Sequence, residues 1–251
     1  MDRLRGQVAV VTGASSGVGK STALALAKEG ASVALVARRA DVLEQLAGEI
    51  KSLGVDALPY PADVSDPQAM EAMASAVLER FGRVDSLVYS AGVLFPQRGM
   101  DDITIENWQS IVNVHLNGLF YCTKAILPAM RAQRRGTVVI ISSYAGVRTS
   151  LMGGPAYSAA KTAAISFNES INLAERKKGI RACVICPGEI NTPILKQRPV
   201  PLTEAELATM LLPEDVAEAV LFAVTQPQRA TVEQIIIRPT VIRAGYGKTK
   251  S

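Results

Sequence analysis

The feature that most constrains the fold of this chain is the regular alternation of short apolar runs with longer segments of helical composition. Seven runs rich in β-branched residues have the length of single strands: residues 7–12, 32–36, 56–60, 84–89, 136–142, 180–186 and 234–237. Strands that are apolar on both faces and separated by helices indicate a parallel sheet covered by helices on each side. Right-handed crossovers then predict a doubly wound α/β fold of about seven strands. The 251 residues contain no evident linker or repeat, so we expect one domain over residues 1–251.

A glycine-rich turn, TGASSGVGKST from Thr12 to Thr22, follows the first predicted strand. A P-loop requires a glycine, four residues and then Gly-Lys-Ser/Thr, because its backbone N–H groups wrap the phosphates. Gly19-Lys20-Ser21 matches the second half, but Ala14 occupies the place of the first glycine. The glycines at 13, 17 and 19 instead favour a dinucleotide, whose pyrophosphate lies at the N-terminus of the next helix.

The residues after each apolar run are candidates to line a binding cleft, since ligands of a doubly wound sheet bind beyond the carboxyl ends of its strands. After the glycine turn these residues are Arg38-Arg39, Asp63-Val64, Ser90-Ala91-Gly92, Ser142-Ser143 and Pro187-Gly188.

Arg38 and Arg39 predict the type of dinucleotide. They lie about 20 residues beyond the glycine turn, where an NAD site places an acidic residue on the ribose hydroxyls. Guanidinium groups match the 2′-phosphate of NADP. The sequence therefore predicts NADP(H) as the cofactor.

Tyr157 and Lys161 lie four residues apart at the start of a predicted helix, within GPAYSAAKTAAISF. This spacing places both side chains on one helix face. A phenol has a pKa near 10, and a neighbouring ammonium lowers that pKa by favouring the phenolate. Tyr157 is therefore a candidate to exchange a proton with an alcohol or a carbonyl.

Six motifs occur in a defined order: TGASSGVG from Thr12, ADV from Ala62, NVHLNG from Asn113, SSYAG from Ser142, YSAAK from Tyr157 and PGEINT from Pro187. In this joint occurrence the chain resembles the most common type of short-chain dehydrogenase/reductase, over about residues 6–240. The resemblance implies a Rossmann-type sheet and an NADP(H)-dependent oxidoreductase acting on a carbonyl/alcohol pair.

The resemblance also implies a role for each motif residue. Ser143 would hydrogen-bond the substrate oxygen and Tyr157 would be the acid/base. Lys161 would hold the nicotinamide ribose and lower the pKa of the tyrosine, and Asn113 would support a proton relay. Tyr157 and Lys161 also count as cofactor contacts, together with Gly13, Ser15, Ser16, Gly17, Val18, Gly19, Arg38, Arg39, Asp63, Val64, Ser90, Ala91, Gly92, Pro187, Gly188, Ile190 and Thr192.

The chain departs from the family's pattern at Tyr89-Ser90, where the family usually has two asparagines. Side-chain hydrogen bonds that brace the central sheet must then come from Ser90 or from water. We expect some loss of rigidity and no loss of hydride chemistry.

A proline-rich stretch at about residues 188–213 is predicted to form a lid over the cleft. The residues predicted to line the substrate pocket there and in the 94–104 and 147–155 loops indicate a substrate with an apolar portion. They are Leu94, Phe95, Val147, Leu151, Met152, Ile194 and Leu195.

Composition excludes several other classes of protein. Aromatic residues are 5% and the basic residues are dispersed despite a net charge of +4, so no nucleic-acid partner is expected. No apolar stretch has the length of a membrane span, and the N-terminus lacks a signal peptide, which predicts a cytoplasmic protein. Neither the Cys183/Cys186 pair nor the single His115 builds a metal site, and His115 is expected to be structural.

The resemblance further implies a homotetramer or a homodimer. A non-catalytic NADP-binding sensor or scaffold of the same fold is the competing functional hypothesis. The complete set of Ser143, Tyr157 and Lys161 argues against it.

Overall fold

The computed structural model describes residues 2–149, 151–198 and 200–242 and contains one seven-stranded sheet. All neighbouring strands are parallel, and their order across the sheet is β3-β2-β1-β4-β5-β6-β7. The strands are β1 (Val8–Thr12), β2 (Ser32–Ala37), β3 (Ala57–Pro61), β4 (Ser86–Tyr89), β5 (Gly136–Ile141), β6 (Ile180–Pro187) and β7 (Gln234–Ile237). The doubly wound fold is confirmed, with each strand within two residues of its predicted bounds.

Helices cover both faces of the sheet. They are α1 (Gly17–Lys28), α2 (Ala40–Lys51), α3 (Pro67–Phe81), α4 (Ile105–Val112), α5 (Gly118–Gln133), α6 (Tyr144–Val147), α7 (Gly154–Glu175), α8 (Glu204–Ala208) and α9 (Pro213–Thr225). The π-helical segment Asn113–Asn117 joins α4 to α5, and a 3-10 turn covers Pro193–Gln197. None of the helices in the described ranges is long and apolar enough to cross a membrane.

The five inner strands are buried on both sides, and their side chains alternate between two apolar layers, whereas the edge strands β3 and β7 are partly exposed. In β5, Val139 and Ile141 pack into the layer beneath α1, α2 and α9. Val138 and Ile140 pack into the opposite layer, beneath α3, α5 and α7. This double burial explains why the strand runs are continuously apolar.

Arg181 joins the sheet to the end of α9. Its side chain is buried in β6, and its Nε donates a hydrogen bond to Thr137 Oγ1 at 3.1 Å. Its two Nη groups donate to the carbonyls of Ala223, Val224, Gln226, Pro227 and Ala230. The last carbonyls of a helix lack intrahelical partners, so one guanidinium satisfies and neutralises the C-terminal end of α9.

From β1 the chain builds the sheet outward in one direction through β2 and β3, and from β4 onward it builds the sheet in the other direction. This change of direction between β1 and β4 leaves a crevice at the carboxyl ends of these strands. The glycine turn leaves β1 at this point. The single-domain organisation over residues 1–251 stays a prediction.

Candidate active site

Three glycines of the turn after β1 allow close backbone contacts. Gly13 has φ +66°, and a Cβ atom there would lie 2.7 Å from the carbonyl oxygen of Ser90. A Cβ atom at Gly19 would overlap the carbonyl oxygen of Gly13. The turn is therefore folded tightly against itself and against the end of β4.

The same turn meets the segment after β6. Gly17 has φ +51°, and a Cβ atom there would lie 3.2 Å from Thr192 Cγ2. Ser16 precedes α1 and makes no side-chain capping hydrogen bond to it, so the first N–H groups of α1 remain donors for an anionic ligand. This cradle of small residues fits the pyrophosphate of a dinucleotide.

Lys20 points away from this cradle. Its Nζ lies 3.2 Å from Glu49 Oε1 on α2, in an exposed ion pair. A P-loop lysine must reach the phosphates, so the geometry also argues against a P-loop.

The two arginines after β2 have different surroundings. Arg39 Nη2 donates hydrogen bonds to the carbonyl oxygen and the hydroxyl of Ser15, at 2.9 and 3.0 Å. Arg38 is exposed on the cleft and makes no side-chain hydrogen bond to the described residues. Arg39 therefore braces the glycine turn, while the guanidinium of Arg38 is available to a ligand.

Asp63 lies opposite Arg38. Burial opposes ionisation of its carboxyl, but two hydrogen bonds from Ser65 and the charge of Arg38 outweigh this effect and lower the pKa of Asp63. The carboxylate is thus ionised and oriented where it lines the cleft.

At the position of the missing asparagines, two other side chains brace the sheet, and the role expected of Ser90 or water stays a prediction. The hydroxyl oxygen of Thr12 accepts hydrogen bonds from the backbone N–H groups of Ser90 and Ala91, with N···Oγ1 distances of 3.0 and 3.2 Å. These bonds connect the end of β1 to the end of β4. The buried Tyr89 donates its hydroxyl to the carbonyl of Val114 in the π-helical segment. A longer aromatic side chain therefore braces the sheet against this segment directly.

The π-helical segment also places His115 beneath the site. His115 is buried, its Nε2 lies 2.8 Å from the carbonyl oxygen of Val93, and its ring packs edge-on against Tyr157 at 5.3 Å. Burial and the charge of Lys161 lower the pKa of His115 to about 3 against the opposing effect of the bond to Val93. His115 is therefore a neutral packing residue, as predicted. Asn113 opens the segment and accepts a hydrogen bond from Asn117 Nδ2 at 2.8 Å.

Tyr157, Ser143 and Lys161 converge at the ends of β5 and α7. The hydroxyl of Ser143 is close enough to that of Tyr157 to lower its pKa. The Nζ of Lys161 lies 5.6 Å from the centre of the tyrosine ring. Lys161 is buried and donates a hydrogen bond to the carbonyl of Ile141 at 2.8 Å. Ser142 instead donates its hydroxyl to the carbonyl of Lys161, so Ser143 is the serine that faces Tyr157.

The pKa of Tyr157 shifts in the direction opposite to the one expected. Desolvation of its hydroxyl raises the pKa, and this effect exceeds the lowering by the nearby hydroxyl of Ser143 and by the charge of Arg98. Burial likewise lowers the pKa of Lys161 to about 8. The cation whose charge lowers the pKa of Tyr157 is Arg98, an arginine that the sequence did not single out.

All the predicted site residues except Gly19 line one open cleft of about 1660 Å³. Gly19 lies behind the turn. Of the apolar pocket residues, Leu94, Leu151, Met152, Ile194 and Leu195 line the cleft, whereas Phe95 packs with Ile111 of α4 and Val147 is exposed outside it. The cleft wall also contains charged side chains outside the set of predicted site residues, namely Arg98, Asp102, Glu106, Glu189, Arg198 and Glu206.

The two ends of the segment after β6 are hydrogen-bonded to each other. Ile190 forms a parallel bridge with Leu211, and the N–H of Asn191 donates to the carbonyl of Leu211 at 2.8 Å. Between these points the chain carries the 3-10 turn and α8 along the cleft. That this segment acts as a lid stays a prediction.

Comparison with known proteins gives a consistent result. The family model for short chain dehydrogenase matches residues 7–201. An uncharacterized oxidoreductase of Staphylococcus haemolyticus is 34% identical over 95% of this chain and 100% of its own length. Glycine betaine reductase ATRR of Emericella nidulans is 37% identical over 94% of this chain, which spans only 19% of that relative.

Two solved structures share the fold at 31% sequence identity. An alcohol dehydrogenase of the archaeon Thermococcus sibiricus, complexed with 5-hydroxy-NADP, has a TM-score of 0.84 over 96% of this chain and 99% of its own. A metagenomic short-chain oxidoreductase in complex with NADP has a TM-score of 0.82 over 96% of this chain and 100% of its own.

Proposed function

Because this chain belongs to the short-chain dehydrogenase family, we propose that it is an NADP(H)-dependent oxidoreductase that interconverts a carbonyl and an alcohol. The observation that carries the proposal is the convergence of Ser143, Tyr157 and Lys161 in the cleft that also holds the glycine cradle. Two solved structures of similar fold are complexes with NADP or 5-hydroxy-NADP, which supports the choice of cofactor.

Tyr157 acts as the proton donor in carbonyl reduction. The nicotinamide, when bound, supplies the hydride to the carbonyl carbon. Tyr157 gives its proton to the carbonyl oxygen, and Ser143 donates a hydrogen bond to the same oxygen. In alcohol oxidation the tyrosine takes the proton back. The raised pKa of Tyr157 keeps the phenol protonated at neutral pH, as reduction requires.

Lys161 and Asn113 assist the reaction at Tyr157 in different ways. One N–H of the lysine is held by the carbonyl of Ile141, which leaves its other donors to hold the hydroxyls of the nicotinamide ribose. Asn113 is exposed to the cleft and passes protons to solvent.

The remaining cleft residues bind the two ends of the cofactor. Asp63 and Val64, with Ser90, Ala91 and Gly92, would hold the adenosine and ribose, and Ser15, Ser16 and Val18 would hold the pyrophosphate. Pro187, Gly188, Ile190 and Thr192 line the same cleft and would hold the nicotinamide and its carboxamide.

Thermal unfolding with matched concentrations of NADP(H) and NAD(H) tests the cofactor choice, because selective binding raises the unfolding midpoint by mass action. We expect the larger shift with the phosphorylated cofactors. Arg38→Ala should lower the preference for NADPH over NADH by about tenfold or more, since it removes a charge-assisted bond to the 2′-phosphate. Arg39→Ala is the matched control and should change this preference less, because Arg39 is bound to Ser15. A larger shift with NAD(H) would overturn the cofactor assignment.

Lys161 should make NADPH binding depend on pH. Its ammonium has a pKa of about 8 and forms stronger hydrogen bonds when charged. The protonated form therefore binds better, and the dissociation constant should be lowest below about pH 8 and rise about threefold to tenfold towards about pH 9.5. Fluorescence titration of NADPH measures this profile, and the exposed Lys177→Met should leave it unchanged. An affinity that is constant over this range would refute the role of Lys161.

The homo-oligomer implied by the family resemblance stays a prediction. Exposed apolar side chains on α4, α5 and α7 support it, namely Trp108, Phe120 and Leu173. Light scattering of the purified protein should give the mass of a dimer or a tetramer; a monomer at micromolar concentration would contradict it.

A further inference from the structure

We propose that the substrate carries a carboxylate in addition to its reacting carbonyl or hydroxyl, and that Arg98 binds this carboxylate. The inference rests on the proposed function and narrows its substrate class to oxo acids and hydroxy acids. It does not follow from the motifs, which do not include Arg98.

Arg98 is a buried cation whose charge is not neutralised by an acidic partner among the described residues. Only 7% of its surface is exposed, although it borders the cleft. Its single side-chain hydrogen bond within the described part of the chain runs from Nη2 to the carbonyl of Gln197 at 2.9 Å. No acidic side chain among those residues lies within ion-pair distance of it. Burying a charge without a counter-ion is costly, so the guanidinium is prepared for an anion from outside the chain.

The backbone places Arg98 next to the acid/base. Gly154 has φ +74° at the start of α7, and a Cβ atom there would overlap the carbonyl oxygen of Arg98 and lie 3.1 Å from its Cβ. Gly154 is three residues before Tyr157, on the first turn of the same helix. The charge of Arg98 is also close enough to lower the pKa of Tyr157. A bound anion at Arg98 therefore belongs to the molecule that reacts at Tyr157.

The surrounding charges favour a monoanion over a phosphate dianion. The neighbouring Arg198 is already paired with Glu189, at 2.5 Å between Nη2 and Oε1. Asp102, Glu106 and Glu206 also border the cleft, and Glu206 caps α8 through Thr203. Arg98 itself has no acidic partner among the described residues, and its planar fork of N–H donors matches a carboxylate.

The competing explanation is that Arg98 only ties the 94–104 loop to Gln197. In that case its removal should affect charged and neutral substrates alike. A carboxylate ligand instead predicts a loss that depends on the charge of the substrate.

The test compares three aryl oxo acids with their methyl esters: benzoylformate, 3-benzoylpropionate and 4-benzoylbutyrate. Each pair presents the same ketone with and without a charge, and the series varies the distance from ketone to carboxylate. Calorimetric titration of the NADP⁺-loaded protein measures affinity without turnover, and NADPH oxidation measures the reaction. The variants are Arg98→Gln, the charge-conserving Arg98→Lys and, as a control at an exposed arginine, Arg148→Gln.

We expect at least one acid to bind the wild-type protein about tenfold or more tightly than its ester. Arg98→Gln should abolish this preference and change ester binding by less than about twofold, Arg98→Lys should retain part of it, and Arg148→Gln should retain all of it. Equal binding of acid and ester by the wild-type protein at all three spacings would overturn the inference. So would an equal loss of both in Arg98→Gln. The wild-type comparison remains decisive even if Arg98→Gln fails to fold.

The same experiment separates the inference from the proposed function. Reduction of the esters as efficiently as the acids would leave the hydride chemistry standing and remove the role of Arg98. Acid binding that depends on Arg98, without oxidation of NADPH by any ketone, would retain the anion site and reject the reaction.

Discussion

Replacement of Tyr157 by phenylalanine is expected to lower the rate of carbonyl reduction by about a thousandfold, while the protein still folds and binds NADPH. The substitution removes only the hydroxyl that donates the proton, and a positioned general acid contributes about 10²–10⁴-fold to a rate. The phenylalanine ring keeps the edge-on contact with His115. The Tyr157→Phe substitution therefore slows the chemical step, and steady-state kinetics should show this loss of rate as a lower kcat.

Two controls separate this effect from damage to the cleft. The unfolding midpoint and the NADPH dissociation constant of Tyr157→Phe should stay close to those of the wild-type protein. Ser143→Ala should cause a smaller loss, because it removes one hydrogen bond and not the proton. A phenylalanine variant that retained more than about a tenth of the wild-type turnover would exclude Tyr157 as the acid.

Replacement of Arg181 by methionine is expected to cause the largest loss of stability, about 3–5 kcal/mol. Methionine fills part of the space of the arginine stem but donates no hydrogen bond. The carbonyls at the end of α9 and the hydroxyl of Thr137 then lose their shared donor. In a chain of this size such a loss lowers the unfolding midpoint by roughly 10 °C, which calorimetry measures.

Arg135→Met provides the matched control. Arg135 precedes β5, is exposed and makes no side-chain hydrogen bond within the described residues, so its replacement should change stability by less than about 0.5 kcal/mol. Equal effects of the two substitutions would show that the contacts of Arg181 are not what secures α9 to the sheet.

The sheet was predictable because its constraint is local in the sequence. The five inner strands pack against helices on both faces, so each appears as a continuous apolar run, and the order of the runs predicts the crossovers. The motif residues were predictable for a related reason. They follow the strand ends, and the fold brings those ends to one edge.

Arg98 could not be found in this way. It lies in the 94–104 loop, and its place beside Tyr157 depends on how that loop packs against Gly154. The only available signal was a cation in a loop otherwise expected to contribute apolar side chains. Its burial, which makes it a candidate for substrate binding, is a property of the folded chain.

The bracing contact of Tyr89 and the raised pKa of Tyr157 could not be predicted from the sequence for the same reason. Tyr89 braces the π-helical segment because its hydroxyl reaches the carbonyl of Val114. The pKa of Tyr157 rises because desolvation outweighs the neighbouring charge. Both outcomes depend on distances and burial across separate elements, which the spacing of residues in the sequence does not provide.

The most direct test of hydride transfer by this protein follows deuterium from the cofactor into the product. NADPH labelled at C4 of the nicotinamide, in each of its two epimers, is incubated with the protein and the benzoyl acid and ester series, and the alcohols are analysed by mass spectrometry. Direct hydride transfer predicts one deuterium in the alcohol from one epimer only, formed at a rate that falls about a thousandfold in Tyr157→Phe. An alcohol without deuterium from either epimer would contradict direct hydride transfer. Labelling at an unchanged rate in the Tyr157→Phe protein would contradict the role of Tyr157 as the acid.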